Sequence, residues 1–271
     1  MKIDKIIISS NDHKDYLPFI KIVGPAWKKL MGITPTFLYV SDNPDHEWMD
    51  EYVDVIVVPN HPRIPSGNHA MATRMLMATQ FGDQVCMLSD IDMLPLGGHK
   101  YFSKSVENIP DNNIVFIGGN AYSDPFKFPI CYMIGKGSTF GEILNPRGLD
   151  YEGLLSYMLA HVGSKPQCSL EYPVGLAHQR FDDEDLFADF YRAWSGRSSR
   201  TAEVYREWDR DTNVASGRVD RALWSVDMPK LLAGDLVDSH MLRPMPEHKD
   251  RIKELTDALG IVWPESMEAR A

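Results

Sequence analysis

The run Val85-Cys86-Met87-Leu88-Ser89-Asp90-Ile91-Asp92-Met93-Leu94-Pro95 constrains this chain more than any other stretch. Four consecutive apolar residues read as a strand buried on both faces, as parallel strands covered by helices usually look. Two carboxylates one residue apart follow at once. Charge at the carboxyl end of such a strand lies where open α/β sheets bind ligands. Burying two carboxylates side by side is costly unless something positive joins them. A hard divalent cation meets that need, because Mg²⁺ is commonly held by one or two carboxylates plus substrate phosphates. The stretch therefore predicts a metal–diphosphate site. The triplet itself is cheap, since Asp183-Glu184-Asp185 and Asp209-Arg210-Asp211 also occur, and Asp90 or Asp92 would equally cap the following segment. Only the first triplet ends a hydrophobic strand, so context makes the case.

Bulk properties narrow the function classes. A chain of 271 residues suits one large α/β domain or a domain with an appendage. A formal charge of −10 argues against a general nucleic-acid-binding surface, while local Arg residues and a metal still allow an anionic substrate. Cys86, Cys131 and Cys168 show no Cys-x-x-Cys spacing and read as reduced thiols of an intracellular protein. Met1-Lys2-Ile3-Asp4-Lys5 enters a strand directly without a signal peptide's apolar region, and no apolar run is long enough to cross a bilayer. The expectation is a soluble, cytoplasmic protein.

Strands are predicted over Lys5–Ser10, Thr36–Val40 and Val53–Val58, with a kinked helix from Asp15 to Leu30 around Gly24-Pro25. This is the rhythm of βαβ units and a mainly parallel sheet. Ser9-Ser10-Asn11-Asp12 gives the small, polar turn that a nucleotide loop or any β-to-α turn needs, and Ser41-Asp42-Asn43-Pro44 is a turn signal. The Gly-x-Gly-x-x-Gly and Gly-Lys-Ser/Thr phosphate loops are both absent, which makes a metal more necessary. His69–Phe81 is predicted as a helix with Asn68 as N-cap. Its one cation, Arg74, is either a solvated surface residue or faces the Asp90–Asp92 mouth.

At this point the chain resembles the GT-A fold glycosyltransferases. The resembling run is a helix with an internal Arg74, a Gly-containing turn, and an apolar strand ending in Asp90-Ile91-Asp92; the likeness covers Ile6 to Leu96. It is most similar to retaining, galactosyltransferase-like members. The resemblance implies a Rossmann-like, mainly parallel sheet flanked by helices with a smaller acceptor-side lobe. It implies one domain over 1–271, with 1–96 as nucleotide-sugar lobe and 97–271 as acceptor lobe and C-terminal metal segment. It further implies Asp90 and Asp92 on Mn²⁺ or Mg²⁺, a UDP- or GDP-sugar donor, Arg74 near that donor, and Ser9, Asn11, Asp12 and Asp42 around the nucleoside.

Further along, strands are predicted at Ile114–Ile117 and Ile130–Ile134, helices at Gly135–Leu144 and Tyr151–Val162, and a polar, mobile stretch over Thr201–Arg210. Asp183, Glu184 and Asp185 open an amphipathic helix, where acidic residues complement the helix dipole. Inverting glycosyltransferases resemble this too, with an acidic pair as the base that deprotonates the acceptor hydroxyl; the sequence leaves the choice among Asp183, Glu184 and Asp185 open, with Asp183 favoured over Glu184. Arg218 and Arg221, before a predicted Trp-bearing strand Ala222–Val226, would hold diphosphate or an anionic acceptor, or form the surface ion pairs that are the default. In Leu236–Pro244, His240 resembles the late histidine that metal-dependent GT-A enzymes supply as a third protein ligand, and imidazole suits Mn²⁺. A terminal helix is predicted over Glu247–Leu259, with a frayed tail after Trp263.

The reading is thus a metal-dependent, hexosyltransferase-like enzyme acting on a glycan, lipid-linked or protein hydroxyl, with stereochemistry open. A haloacid-dehalogenase-like phosphatase would want the Asp pair after the first strand and Thr or Val where Leu94 stands. A sugar-1-phosphate nucleotidyltransferase would want an N-terminal glycine- and arginine-rich loop, which is missing. A non-catalytic nucleotide-sugar-binding module is the non-enzymatic alternative.

Overall fold

The first strand and the helix behind it set the frame. β1 (Lys5–Asn11) leads through a 3₁₀ turn at Leu17–Phe19 into α1 (Ile20–Met31). The computed structural model describes residues 1–43, 45–163, 183–195, 199–209, 211–212 and 214–265. Pro25 lies inside α1 without ending it, although an interior proline costs roughly 3 kcal/mol. Complete burial of Ile22, Val23, Ala26 and Trp27 on either side offsets that cost. Its neighbour Gly24 is required by close approach: an added Cβ would meet the Tyr52 carbonyl oxygen at 2.4 Å.

β2 (Thr36–Val40) and β3 (Asp54–Val58) follow, then α2 (Ser66–Ala78), β4 (Val85–Leu88) and the short β5 (Met93–Leu94). The helix α2 starts earlier than expected. Pro65 has an extended ψ of 131° and the helix begins directly after it, so Asn68 sits within the first turn and is not its cap. Next come α3 (Gly98–Val106), β6 (Ile114–Ile117) and β7 (Met133–Lys136). The expected strand over Ile130–Ile134 is displaced because Tyr132 takes a left-handed φ of 66°, which breaks the extended run. α4 (Gly137–Leu144), α5 (Tyr151–Gly163) and α6 (Asp183–Ser195) complete the helical layer on that side.

The stretch expected to be polar and mobile instead forms β8 (Thr201–Val204) and β9 (Trp208–Asp209). Among the described residues β8 is an edge strand paired with β6, and an edge tolerates outward polar side chains. β10 (Val214–Ala215) pairs β9, and β11 (Arg218–Asp220) follows. No strand forms at Ala222–Val226. The Asp220 carboxylate accepts from the Ala222 amide at 2.8 Å and caps a 3₁₀ turn at Arg221–Leu223. α7 (Met228–Ala233), β12 (Asp238–His240) and α8 (Lys249–Ala258) close the chain, α8 being preceded by a 3₁₀ turn at Met245–His248.

Among the described residues the main sheet has seven strands, in the order β3-β2-β1-β4-β7-β6-β8. All neighbours are parallel except β7, which runs against both β4 and β6. Alternation along the strands divides the core. Ile6, Ile8, Phe37, Tyr39, Val85, Met87, Val115 and Ile117 join one apolar cluster, with Trp27 and Phe102 from α1 and α3. Their sequence neighbours Ile7, Leu38, Cys86, Leu88, Ile114 and Phe116 join another, with residues of α2, α4, α5 and α6. Successive side chains point to opposite faces, so these are the two sides of one sheet covered by two helical layers. A second sheet, β11-β12-β5, stands at the mouth, with β5 antiparallel to β12. Among the described residues no helix is long and apolar enough to cross a membrane. Cys168 and the end of the tail lie outside the described residues.

Candidate active site

Parallel β1, β2 and β4 end at the same edge, which gathers Asn11, Asp12, Ser41, Asp42, Ser89 and Asp90. Ser9 Oγ donates to the Ala70 carbonyl at 2.7 Å and Asn11 Nδ2 donates to Ser66 Oγ at 2.9 Å, so both tie β1 to α2. Asp12 accepts from the Tyr39 and Ser41 hydroxyls, the latter at 2.6 Å. Burial, reinforced by Asp12, pushes the Tyr39 phenol up to about 12. Asp42 accepts from the Asn60 amide at 3.0 Å and from Asn60 Nδ2 at 3.2 Å.

Arg74 faces the mouth from α2. Its guanidinium donates to the Ser89 carbonyl at 3.1 Å, to the Asp90 carboxylate, and to Asp183 Oδ2 at 2.8 Å. One buried cation thereby joins the end of β4 to the start of α6. Burial opposes ionisation of Asp90, yet the Arg74 charge beside it holds its carboxyl below the ordinary value. Glu184, next along α6, accepts from the Tyr122 hydroxyl at 2.6 Å.

Asp92 immediately precedes β5 of the second sheet. The Met241 amide donates to its carbonyl at 2.9 Å, and β12 runs antiparallel so that His240 stands opposite Met93. This register brings His240 Nε2 to 3.4 Å from Asp92 Oδ2, although the two residues lie on distant parts of the chain. On its other side His240 Nδ1 is 3.6 Å from Asp220 Oδ2, its pairing partner on β11. Burial works against a charged imidazole, but Asp220 and Asp92 together push it up to about 9. Arg221 at 3.1 Å and Arg243 Nε at 3.5 Å also reach Asp92 Oδ2. Arg218 stands apart from this group. It makes a two-point pair with the fully buried Asp238, at 3.0 and 2.7 Å, and Arg206 makes another at 3.0 and 3.2 Å. Burial alone would raise the Asp238 carboxyl, and the two guanidinium groups instead hold it far below the usual carboxylate range.

The donor chemistry fits a divalent cation in part. Two ligands of one ion at ~2.1 Å each lie roughly 3 Å apart across a right angle, close to the spacing of the Asp92 and His240 donor atoms. Asp90, by contrast, is turned to Arg74, and among the described residues no three His, Cys, Asp or Glu side chains converge on one point. Asp92 and His240 are therefore the two described side chains that would hold such an ion.

The structure adds residues that sequence reasoning passed over. Tyr39 is the partner of Asp12, Asp220 flanks His240, and Arg243 reaches Asp92. Asp220 and Arg243 were within reach: one precedes Arg221, the other follows His240 by three positions. Tyr39 read only as a strand residue, because its hydroxyl partner lies on the neighbouring strand's exit.

Among the described residues, the strand order with one reversed member, flanked by helices on both faces, is that of a GT-A fold. Comparison with solved structures agrees. The galactosyltransferase LgtC in complex with donor and acceptor sugar analogs superposes with a TM-score of 0.53 at 11% identity, covering 96% of this chain and 98% of that one. An active-site mutant of LgtC gives a TM-score of 0.52 at 12% identity, with the same coverage of 96% and 98%. No family model matches the chain, and no curated protein matches it in sequence.

Proposed function

We propose that this chain transfers a sugar from a UDP- or GDP-linked donor to a hydroxyl acceptor. The observation that carries the proposal is the meeting of Asp92 and His240, from distant parts of the chain, beside Arg221 and Arg243 at the sheet mouth. The GT-A fold supports it. So does the placement of the Asp pair after β4, since a dehalogenase-like phosphatase needs it after the first strand.

In this reading Asn11, Asp12 and Asp42 receive the nucleoside, with Ser9 holding the loop. Asp92 and His240, with Asp90 directly or through water, hold Mn²⁺ or Mg²⁺. When bound, that ion supplies Lewis-acid neutralisation of the leaving nucleoside diphosphate. Arg221 and Arg243 turn from Asp92 to the phosphates, where charge-assisted hydrogen bonds strengthen as negative charge develops. Asp92 holds both beside the mouth before the donor arrives. Arg74, neutralised by Asp90 and Asp183, borders the sugar. Glu184 takes the acceptor proton, and Asp183 acts on Arg74. Arg218 serves as the counter-ion of Asp238.

The test is release of UDP or GDP from a panel of nucleotide sugars by purified protein with Mn²⁺, with and without chelator. Release that stops in chelator supports the reading. A protein that binds nucleotide sugar but never turns it over under any of these conditions is a binding module.

A further inference from the structure

The second sheet has little backbone to hold it in place. β5 has two residues, and β11 and β12 have three each, well short of the roughly five or six of an ordinary strand. Yet the register of β12 decides where His240 stands. A slip by one residue would turn its side chain to the opposite face, away from Asp92. Side chains must therefore fix what so short a ladder does not.

The fully buried Asp238 carboxylate is placed to do so. Arg206 Nη1 donates to Oδ2 at 3.0 Å and Nη2 to Oδ1 at 3.2 Å. Arg218 Nε donates to Oδ1 at 3.0 Å and Nη2 to Oδ2 at 2.7 Å. An ionised carboxylate offers about four lone-pair sites, so these bonds fill it and leave nothing for a ligand. Its effect on the site must pass through the strand that carries it.

Both partners are themselves anchored. Arg218 is the in-register neighbour of Asp238 on β11, as Asp220 is of His240. Side chains two residues apart share a face, so these two pairs stand one after the other. A two-residue slip would set Asp220 against Asp238 or Arg218 against His240, and either way would strip Asp238 of Arg218. Arg206 comes from outside that sheet, just after β8. Its Nη2 also donates to the Ser216 carbonyl at 2.8 Å. Asn120 grips its backbone: Nδ2 donates to the Arg206 carbonyl at 2.8 Å, and Oδ1 accepts from the Arg206 amide at 3.2 Å. One buried carboxylate thus fastens β12 both to β11 and to the edge of the main sheet.

We infer that Asp238 is a positioning residue: by holding β12 in register between Arg206 and Arg218, it sets His240 against Asp92. That His240 then holds a cation rests on the sugar-transfer reading; the positioning does not.

Histidine side-chain NMR of the metal-free protein tests the positioning. The His240 ring resonances are assigned by their loss in His240→Gln. In the wild-type background Asp92→Asn should shift them, because the two side chains approach to 3.4 Å. In an Asp238→Asn background Asp92→Asn should leave them unmoved, and Asp238→Glu should restore part of the response. Arg218→Gln, which keeps Arg206 on Asp238, is the milder variant should Asp238→Asn fail to fold, and should weaken the same response. Ile143→Ala, in the apolar cluster on the other face of the main sheet, lowers stability without touching β12 and should keep the response in full. A His240 ring indifferent to Asp92→Asn in the wild-type background, or fully responsive in the Asp238→Asn or Arg218→Gln background, overturns the inference. Mn²⁺ uptake with UDP or GDP, measured alongside, separates the two claims. Asp238→Asn should weaken it at least about tenfold, the scale on which outer support of a metal ligand acts. No uptake by wild type beside an intact NMR response counts against the cation and sugar transfer alone. Uptake by wild type without that response counts against the positioning alone.

Discussion

His240 Nε2 lies 3.4 Å from Asp92 Oδ2, and the pairing of β12 with β5 is what puts it there. The same oxygen is approached by Arg221 and Arg243, so one buried carboxylate organises three cationic side chains at the sheet mouth.

Removing that carboxylate should leave the cations without their anchor. Asp92→Asn is expected to lower kcat/KM for donor cleavage by about 10²–10³, in line with losing one preorganised electrostatic element. Steady-state kinetics with the best nucleotide sugar checks this, and near-normal activity would remove Asp92 from the mechanism.

Arg221→Gln and Arg243→Gln each delete one charged donor from the proposed phosphate site. Hydrogen bonds to charged groups contribute about 1.5–3 kcal/mol, so KM for the donor should rise roughly tenfold or more in each. Competition by UDP or GDP, followed by calorimetry, should weaken in parallel.

Arg74 is a structural as well as a local electrostatic element. Arg74→Met leaves Asp90 and Asp183 facing each other without their shared cation. Breaking a buried pair by removing one partner costs about 3–5 kcal/mol. Urea denaturation should show a loss of that order, and Arg74→Lys should recover only part of it, because an ammonium cannot reproduce the guanidinium fork.

Stability should also depend on pH through His69, which is 1% exposed and hydrogen-bonded through Nε2 to the Tyr151 hydroxyl at 2.9 Å. Burial, with a smaller contribution from His61, pulls its pKa down to about 4. A folded pKa below the unfolded value means that the unfolded chain binds the proton first. The contribution is therefore fully present above the unfolded value of about 6.5 and is lost as pH falls toward 4, at most about 3 kcal/mol over that window. Melting temperature measured from pH 7 to pH 4 should fall, and His69→Gln should flatten that part of the curve.

Much of this was legible because strand chemistry is local. Thr36–Val40 and Ile114–Ile117 are found at the positions their apolar runs predict. The exit of β4 was legible because apolar residues run directly into the two carboxylates. What failed was nonlocal. Nothing near Met133 announces that β7 runs against its neighbours, and the positive φ of Tyr132 that shifts its start is a tertiary outcome. β8 reads as polar because an edge strand is half solvated. Ala222–Val226 has the composition of a strand, and a single side-chain cap from Asp220 decides otherwise. In the site, His240 could be singled out only by resemblance, since its approach to Asp92 depends on strand register. The pairing of Arg218 with Asp238, and the turning of Asp90 toward Arg74, likewise depend on which side chains the sheets bring together.

The most direct measurement of the central claim is Mn²⁺ binding by electron paramagnetic resonance in the presence of UDP or GDP. Wild-type protein should take up the Mn²⁺–nucleotide complex, while Asp92→Ala and His240→Ala, shown folded by thermal melt, should bind it at least tenfold more weakly. Equal uptake by wild type and both variants, or none by wild type with either nucleotide, would contradict a cation held between Asp92 and His240.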